Sequence, residues 1–232
     1  MGITGNRLLD VLSPKALDAI LAVARPVDLP IRAVVFSTSS TPAFVHFLTS
    51  GAASIVVTMS EGGSAEVGMI GCEGIVGGTA LLGSAPMEAD GFMQLAGAGL
   101  RVPLKSMRTI FDDSAEARER ILQFLQGQMQ ISSQLSACNK LHEAEARLAR
   151  WLLMASDRAQ TEKLNLTQEF LAEMLGSQRT TVALVAGTLQ RAGFIDYSRG
   201  RVRILDRDGL VSAACDCYGV TEKILHNLFI TA

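Results

Sequence analysis

The forty residues from Leu166 to Leu205 constrain this chain more than any others: LTQEFLAEMLGSQRTTVALVAGTLQRAGFIDYSRGRVRIL. Leu166, Phe170, Leu171 and Leu175 recur at helical spacing, and Thr167 is placed to cap the helix they begin. Gly176 interrupts the pattern where a tight turn between helices needs a permissive residue. A second helix follows, with Val182, Val185, Leu189 and Ala192 on one face and Gln178, Arg179, Thr180 and Thr181 at its exposed start. Gly193 ends that helix, and Tyr197 to Ile204 reads as a β-hairpin turning at Arg199-Gly200. This order predicts a helix-turn-helix followed by a wing, an arrangement that lays its second helix in the DNA major groove. From Ser177 to Arg203 the basic residues are Arg179, Arg191, Arg199, Arg201 and Arg203, against one acid, Asp196. Such a local excess suits contact with phosphates.

That excess has to be local, because the whole chain of 232 residues carries a net charge of only -2. Its 48% hydrophobic and 19% charged residues describe a globular protein with room for two modest domains, not a disordered one. No apolar run is long enough to span a membrane. The start, MGITGNRLLDVL, lacks the charged-then-apolar layout of a secretion signal, and Asn6 stands where myristoylation needs Ser or Thr. Cys72, Cys138, Cys215 and Cys217 show neither a disulfide framework nor zinc-ligand spacing, so a cytoplasmic protein is expected.

Upstream of the helix-turn-helix the hydrophobic period changes twice. Leu8, Leu9 and Leu12, then Leu17, Ile20, Leu21 and Ala24, form a helical stripe that Ser13-Pro14 is placed to cap and Pro26 to end. Val34–Phe36, Phe44–Leu48, Ala53–Met59, Glu66–Ile70, Phe92–Leu95 and Leu100–Pro103 are then short apolar segments separated by turn residues, with a hairpin turn at 60–63. Strands so spaced predict a small antiparallel barrel or sandwich. After Pro103 the pattern becomes helical. Positions 118, 121, 125, 128, 132 and 135 step by three and four, as a half-apolar coiled-coil seam would; the alternative is a helix packed on its own barrel. A hinge is expected at 139–143, a helix at 144–156, and one final helix from Asp208 to Phe229.

Barrel, long helix and winged helix-turn-helix, in that order, resemble the Crp/Fnr family of bacterial transcription regulators over nearly the whole chain. The most specific part is Gly176 to Val182, which is similar to the family's turn and recognition-helix start: Arg179, Thr181 and Val182 match, while Thr180 replaces the usual Glu. Leu184 stands where several members carry a further base-reading Arg. The resemblance implies an α+β protein: an N-terminal antiparallel β-barrel or jelly roll of the cyclic-nucleotide-binding type over 1–112, a long dimerisation helix over 113–138 and a winged helix-turn-helix domain over 139–232. It implies a homodimer paired through the helix Ser114–Ala137, two-fold related half-sites on duplex DNA and, for an activator, contact with RNA polymerase. Arg179 is the candidate for bidentate recognition of guanine. Thr181, Gln168, Gln178, Arg199 and Arg201 are assigned to the phosphate backbone.

Members that bind cyclic nucleotides present a Glu to the ribose and, further along, an Arg to the cyclic phosphate. Here Gly78, after Gly77, occupies the Glu position, and Glu88, before Ala89, occupies that of the Arg. A carboxylate where a phosphate must sit is repulsive. Ser132 and Ser133 resemble the hydroxyl pair that some members offer the base, but without Glu and Arg neither cAMP nor cGMP is expected. The family's oxygen sensors hold an iron–sulfur cluster on N-terminal cysteines, and this chain has none before Cys72. Haem would need His46 or Cys72 as axial ligand, and His46 reads as a packed strand residue. Cys215 and Cys217, two apart on one expected helix, point away from each other and read as buried small hydrophobes. Cys72, beside Gly71 in an expected turn, is the thiol most open to oxidation. No cofactor or metal is expected: His46, His142 and His226 are too dispersed for a catalytic metal centre, and neither a Walker loop nor a nucleophile elbow is present. Two alternatives to a ligand-blind DNA regulator stay open, a winged helix that binds protein and a nucleotide-like effector in a different pocket.

Overall fold

The computed structural model describes residues 2–230. Two short helices, α1 (Arg7–Asp10) and α2 (Pro14–Val23), open the chain. Ser13 caps α2 with Pro14 in its first turn, as expected. Asn6 caps α1 and is itself fully buried; its amide donates to the carbonyls of Leu48 and Gly74, which ties the N-terminus to the barrel.

The barrel is a sandwich of two four-stranded antiparallel sheets. One runs in the order β1 (Arg25–Leu29), β8 (Gly97–Pro103), β3 (Phe44–Leu48), β6 (Ile75–Val76). The other runs β2 (Val34–Phe36), β7 (Asp90–Leu95), β4 (Ala52–Thr58), β5 (Ser64–Ile70). Val45, Phe47, Ala53, Met93 and Val102 fill the space between them, and Phe111 of α3 (Leu104–Asp113) with Ile121 and Phe124 of α4 (Ala115–Leu141) close the same core. All six expected strand segments are strands. β1 was hidden by Pro26, which pairs at the edge of its sheet opposite Leu100, a place where a residue without an N–H is tolerated.

α4 starts at Ser114, whose hydroxyl accepts from the Ala117 amide. Its buried residues, Ala117, Ile121, Phe124, Gly127, Ile131, Leu135 and Cys138, all face the rest of the same chain. The expected seam is therefore out of phase. Ile121 and Leu135 are buried, Arg118 donates to the carbonyls of Phe111 and Asp112, and the large apolar side chains left open are Leu122, Met129 and, at the last residue of the helix, Leu141, at 42%, 66% and 76% exposure.

Two extended residues, His142 and Glu143, separate α4 from α5 (Ala144–Ala159), inside the interval expected for the hinge. There follow β9 (Lys163–Asn165), α6 (Gln168–Leu175), α7 (Arg179–Arg191), β10 (Ile195–Ser198), β11 (Arg201–Ile204), α8 (Arg207–Ala213) and α9 (Cys217–Asn227). The expected single C-terminal helix is thus two helices, broken at 214–216. Cys215 lies in the break and Cys217 begins α9, so the argument that one helix turns the two thiols apart does not hold.

Trp151 organises the second domain, with Leu148, Leu152, Leu171, Val182 and Leu189 around it. Ala52, Val56, Met69 and Leu95 of the barrel belong to this same core, so α5 lies directly on the β4–β5 sheet. Two buried polar links cross that contact. Arg158 Nε stands 3.2 Å from Glu73 Oε1, and Trp151 Nε1 donates to Glu66 Oε1 at 2.9 Å. Cys72, expected in a turn beside Gly71 as the thiol most open to oxidation, does lie in a turn but is buried beneath Arg158, with its Sγ 3.7 Å from that residue's carbonyl oxygen; burial pushes its thiol pKa up.

Candidate DNA interface

Each edge of the interface is shaped by local chemistry. The Thr167 hydroxyl accepts from the Phe170 amide and starts α6, while Gly176 ends it in the left-handed region at φ 55°. Gly176 and Ser177 donate back to the last turn of α6, which fixes the angle at which α7 leaves. The Gln178 side chain makes no capping bond to α7, so the first-turn amides of this thirteen-residue helix face outward with the positive end of its dipole. The wing turns on Arg199 and Gly200, both with positive φ (49° and 74°), between the paired residues Ser198 and Arg201. That two-residue turn matches the twist of its strands. A third strand, β9, pairs with β11 and stiffens the wing.

The sequence-assigned residues meet here. Gln168, Arg179 and Arg199 line one cleft of about 460 Å³ together with Thr167, Glu169, Tyr197 and Gly200. The Tyr197 hydroxyl donates to the Leu166 carbonyl at 3.0 Å, and burial raises its pKa to about 12, so it forms a fixed neutral wall of the cleft. Gln178, Arg179 and Thr180 are exposed at the start of α7, Thr181 is half-buried, and Arg201 and Arg203 are exposed along β11. Leu184, one turn beyond Thr180 on the same face, is 67% exposed. An apolar side chain presented there suits the methyl group of thymine. Its exposure was not legible in the sequence, because a leucine inside an amphipathic pattern ordinarily reads as core.

The residues assigned to an effector pocket are less united. Gly77, in the left-handed region at φ 80°, leads into a 3-10 turn at Gly78–Leu81, and Arg108 holds that turn by donating to the carbonyls of Ala80 and Gly83. Gly78 is buried, and a Cβ on it would meet Ile75 Cγ2 at 2.8 Å and Leu125 Cδ2 at 3.4 Å. Glu88 is exposed and Ala89 half-buried on the loop before β7. The Ser132 hydroxyl donates to the Val67 carbonyl of β5, and that of Ser133 donates to the Met129 carbonyl of its own helix. His46 is buried in β3 opposite Arg101; burial, and then the Arg101 charge, lower its pKa to about 4, so the ring is neutral.

Comparison with known proteins agrees with this geometry. Residues 146–213 match the Crp-like helix-turn-helix domain. The CRP-like cAMP-activated global transcriptional regulator of Mycobacterium tuberculosis is 21% identical over 210 residues, spanning 88% of this chain and 94% of that protein. Among solved structures, a CRP-family transcriptional regulator from Thermus thermophilus superposes with a TM-score of 0.67 at 21% identity, over 81% of this chain and 97% of the other. The c-di-GMP responsive global regulator CLP of Xanthomonas campestris gives a TM-score of 0.67 at 18% identity, over 83% and 99%. The fold and the interface define a protein with a Crp-like helix-turn-helix domain behind an antiparallel barrel of the kind those structures carry. The chain thus carries a Crp-like helix-turn-helix domain and, over most of its length, the fold of solved Crp/Fnr regulators. Among the described residues no helix is long and apolar enough to cross a membrane.

Proposed function

We propose that this protein is a sequence-specific transcription regulator that binds a two-fold symmetric duplex site as a homodimer. The observation that carries this reading is the convergence of Arg179, Arg199 and the uncapped start of α7 on one exposed face, with Arg201 and Arg203 continuing it along the wing. Arg179 reads a guanine, Thr181, Gln168, Gln178, Arg199 and Arg201 hold phosphates, and Thr180 and Leu184 make the half-site differ from that of members with Glu and Arg there. Pairing uses the open side of α4 around Leu122 and Met129. If the protein activates, RNA polymerase is its further partner.

The sensor barrel does not take cAMP or cGMP in the family manner. The mycobacterial relative is named as cAMP-activated, but here Gly78 offers no carboxylate to a ribose, Ile75 and Leu125 crowd the space beside it, and Glu88 is acidic and turned to solvent. Two titrations test the reading. Affinity for duplex DNA should fall steeply with salt, and replacing both Arg199 and Arg201 by Ala should flatten the slope by about 1 per phosphate contact removed. Calorimetry with cAMP or cGMP should show no saturable heat; micromolar binding of either would overturn the sensor assignment.

A further inference from the structure

Three of the four cysteines and one histidine, remote in sequence, meet at the joint between the long helix and the DNA-binding domain. Cys138 and His142 lie one turn apart at the end of α4, while Cys215 and Cys217 flank Asp216 where α8 passes into α9. One ligand atom from each of the four residues falls within 4.8 Å of all the others. Cys138 Sγ is 3.5 Å from Cys215 Sγ, and Cys217 Sγ is 3.5 Å from His142 Nδ1. A tetrahedral ion with metal–sulfur bonds of about 2.3 Å and metal–nitrogen bonds of about 2.0 Å sets its ligand atoms roughly 3.5 to 3.8 Å apart. We propose that Cys138, His142, Cys215 and Cys217 together bind a single zinc-class divalent cation.

The surroundings are those of a built site. All three thiols are buried. His142 Nε2 lies 3.5 Å from Asp216 Oδ1, a carboxylate that favours the tautomer with its proton on Nε2, which leaves the Nδ1 lone pair free for a metal beside Cys217 Sγ. Gln134 Nε2 donates to Cys217 Sγ at 3.1 Å, a bond that strengthens when the sulfur is a thiolate. Three thiolates and a divalent ion leave one net negative charge. Arg150, buried with its Nε unpartnered, and the buried Arg147 lie within electrostatic reach of Cys138 and Cys215 to balance it. Soft thiolates with one imidazole in a closed set of four select zinc over magnesium or calcium. An iron–sulfur cluster interposes its own metal and sulfide atoms and needs its thiolates farther apart. A Cys138–Cys215 disulfide would leave Cys217, His142 and the two arginines without a common purpose.

The ion would join the break between α8 and α9 to His142, the residue that ends α4, and so would stiffen the hinge between pairing helix and DNA-binding domain. α9 already leans on α4, where Leu228 packs over Gly127, and Arg7 sits over the Phe229 ring at 4.1 Å. Coordination displaces the three thiol protons to solvent, so uptake releases acid.

Metal analysis of the full-length protein, purified under reducing conditions, is expected to find one zinc per chain. After chelation, cobalt(II) should restore one equivalent, with the visible d–d bands of a tetrahedral site and near-ultraviolet thiolate-to-metal charge transfer. Cys217→Ser and Cys138→Ser should each lose the spectrum, and Cys72→Ser should keep it. Because the unaltered protein gives the primary signal, failure of a variant to fold does not decide the matter. The proposal is overturned if the unaltered protein with all thiols reduced takes up no cobalt, if a Cys138–Cys215 disulfide is native, or if iron with inorganic sulfide is found in place of a single ion.

Discussion

Arg179 stands at the exposed start of α7 in a cleft whose wall, Tyr197, is fixed by its bond to the Leu166 carbonyl. A guanidinium presented at the open start of a helix can make the in-plane, bidentate approach that guanine recognition needs. Arg179→Ala should therefore cost about 1–3 kcal/mol on the preferred site and much less on unrelated sequence, as competition binding would show. Equal loss on all sequences would assign the side chain to phosphate. Glu66 is the other residue whose surroundings dictate behaviour. It is fully buried between barrel and α5, and burial raises its pKa to about 7. The Ser54 hydroxyl lies 2.6 Å from Glu66 Oε2 and 2.8 Å from Gln94 Oε1, and its one proton cannot serve both oxygens. A proton on Glu66 donated to Ser54 resolves this conflict, as does a Gln94 amide turned so that its Nε2, otherwise without a partner, donates to Ser54. With its pKa so raised, the folded carboxyl keeps a proton that the unfolded one, with a pKa of about 4.3, gives up. Its contribution to stability is whole below the unfolded pKa, declines as pH rises and is lost above about 7. Glu66→Gln keeps the hydrogen bonds and should flatten the fall in urea midpoint between about pH 5 and about pH 8. An unchanged slope would mean that Glu66 is ionised in the folded chain.

Among the elements, α4 packs one face on its own chain and leaves Leu122 and Met129 exposed on the other. Met129→Glu places a charge on the open face without touching the core. It should convert a dimer to a monomer in sedimentation equilibrium while leaving the helical signal intact; a protein that is monomeric from the outset would contradict the pairing assignment. This double character explains what could be read from sequence and what could not. The helix-turn-helix was legible because each signal is local: the cap at Thr167, the left-handed Gly176, the Arg199-Gly200 turn and the apolar period between them. The phase of α4 was not, because steps of three and four fit the inward face through Ile121 and Leu135 as well as an outward one. β9 escaped because its three residues become a strand only through pairing with β11. The Cys–His cluster escaped for a similar reason: Cys138 with His142 and Cys215 with Cys217 are two half-sites, and only the fold brings them together.

At the scale of the whole molecule, the barrel and the helix-turn-helix domain share one hydrophobic core through α5, with Glu66–Trp151 and Glu73–Arg158 bonded across it. An effector that changes the relation of the two must therefore favour another packing of α5 against β4 and β5. Two such bodies paired along α4 would present their α7 helices to one face of a duplex, in successive major grooves. Helix-turn-helix dimers read half-sites about 10 base pairs apart for this geometric reason. The most direct test is selection of duplexes from a random library by the purified, reduced protein with no effector added. The account predicts recovery of one inverted repeat with centres about a helical turn apart, with a guanine in each half-site whose selection is lost in Arg179→Ala. Recovery of no duplex, or of a single asymmetric site, would contradict it.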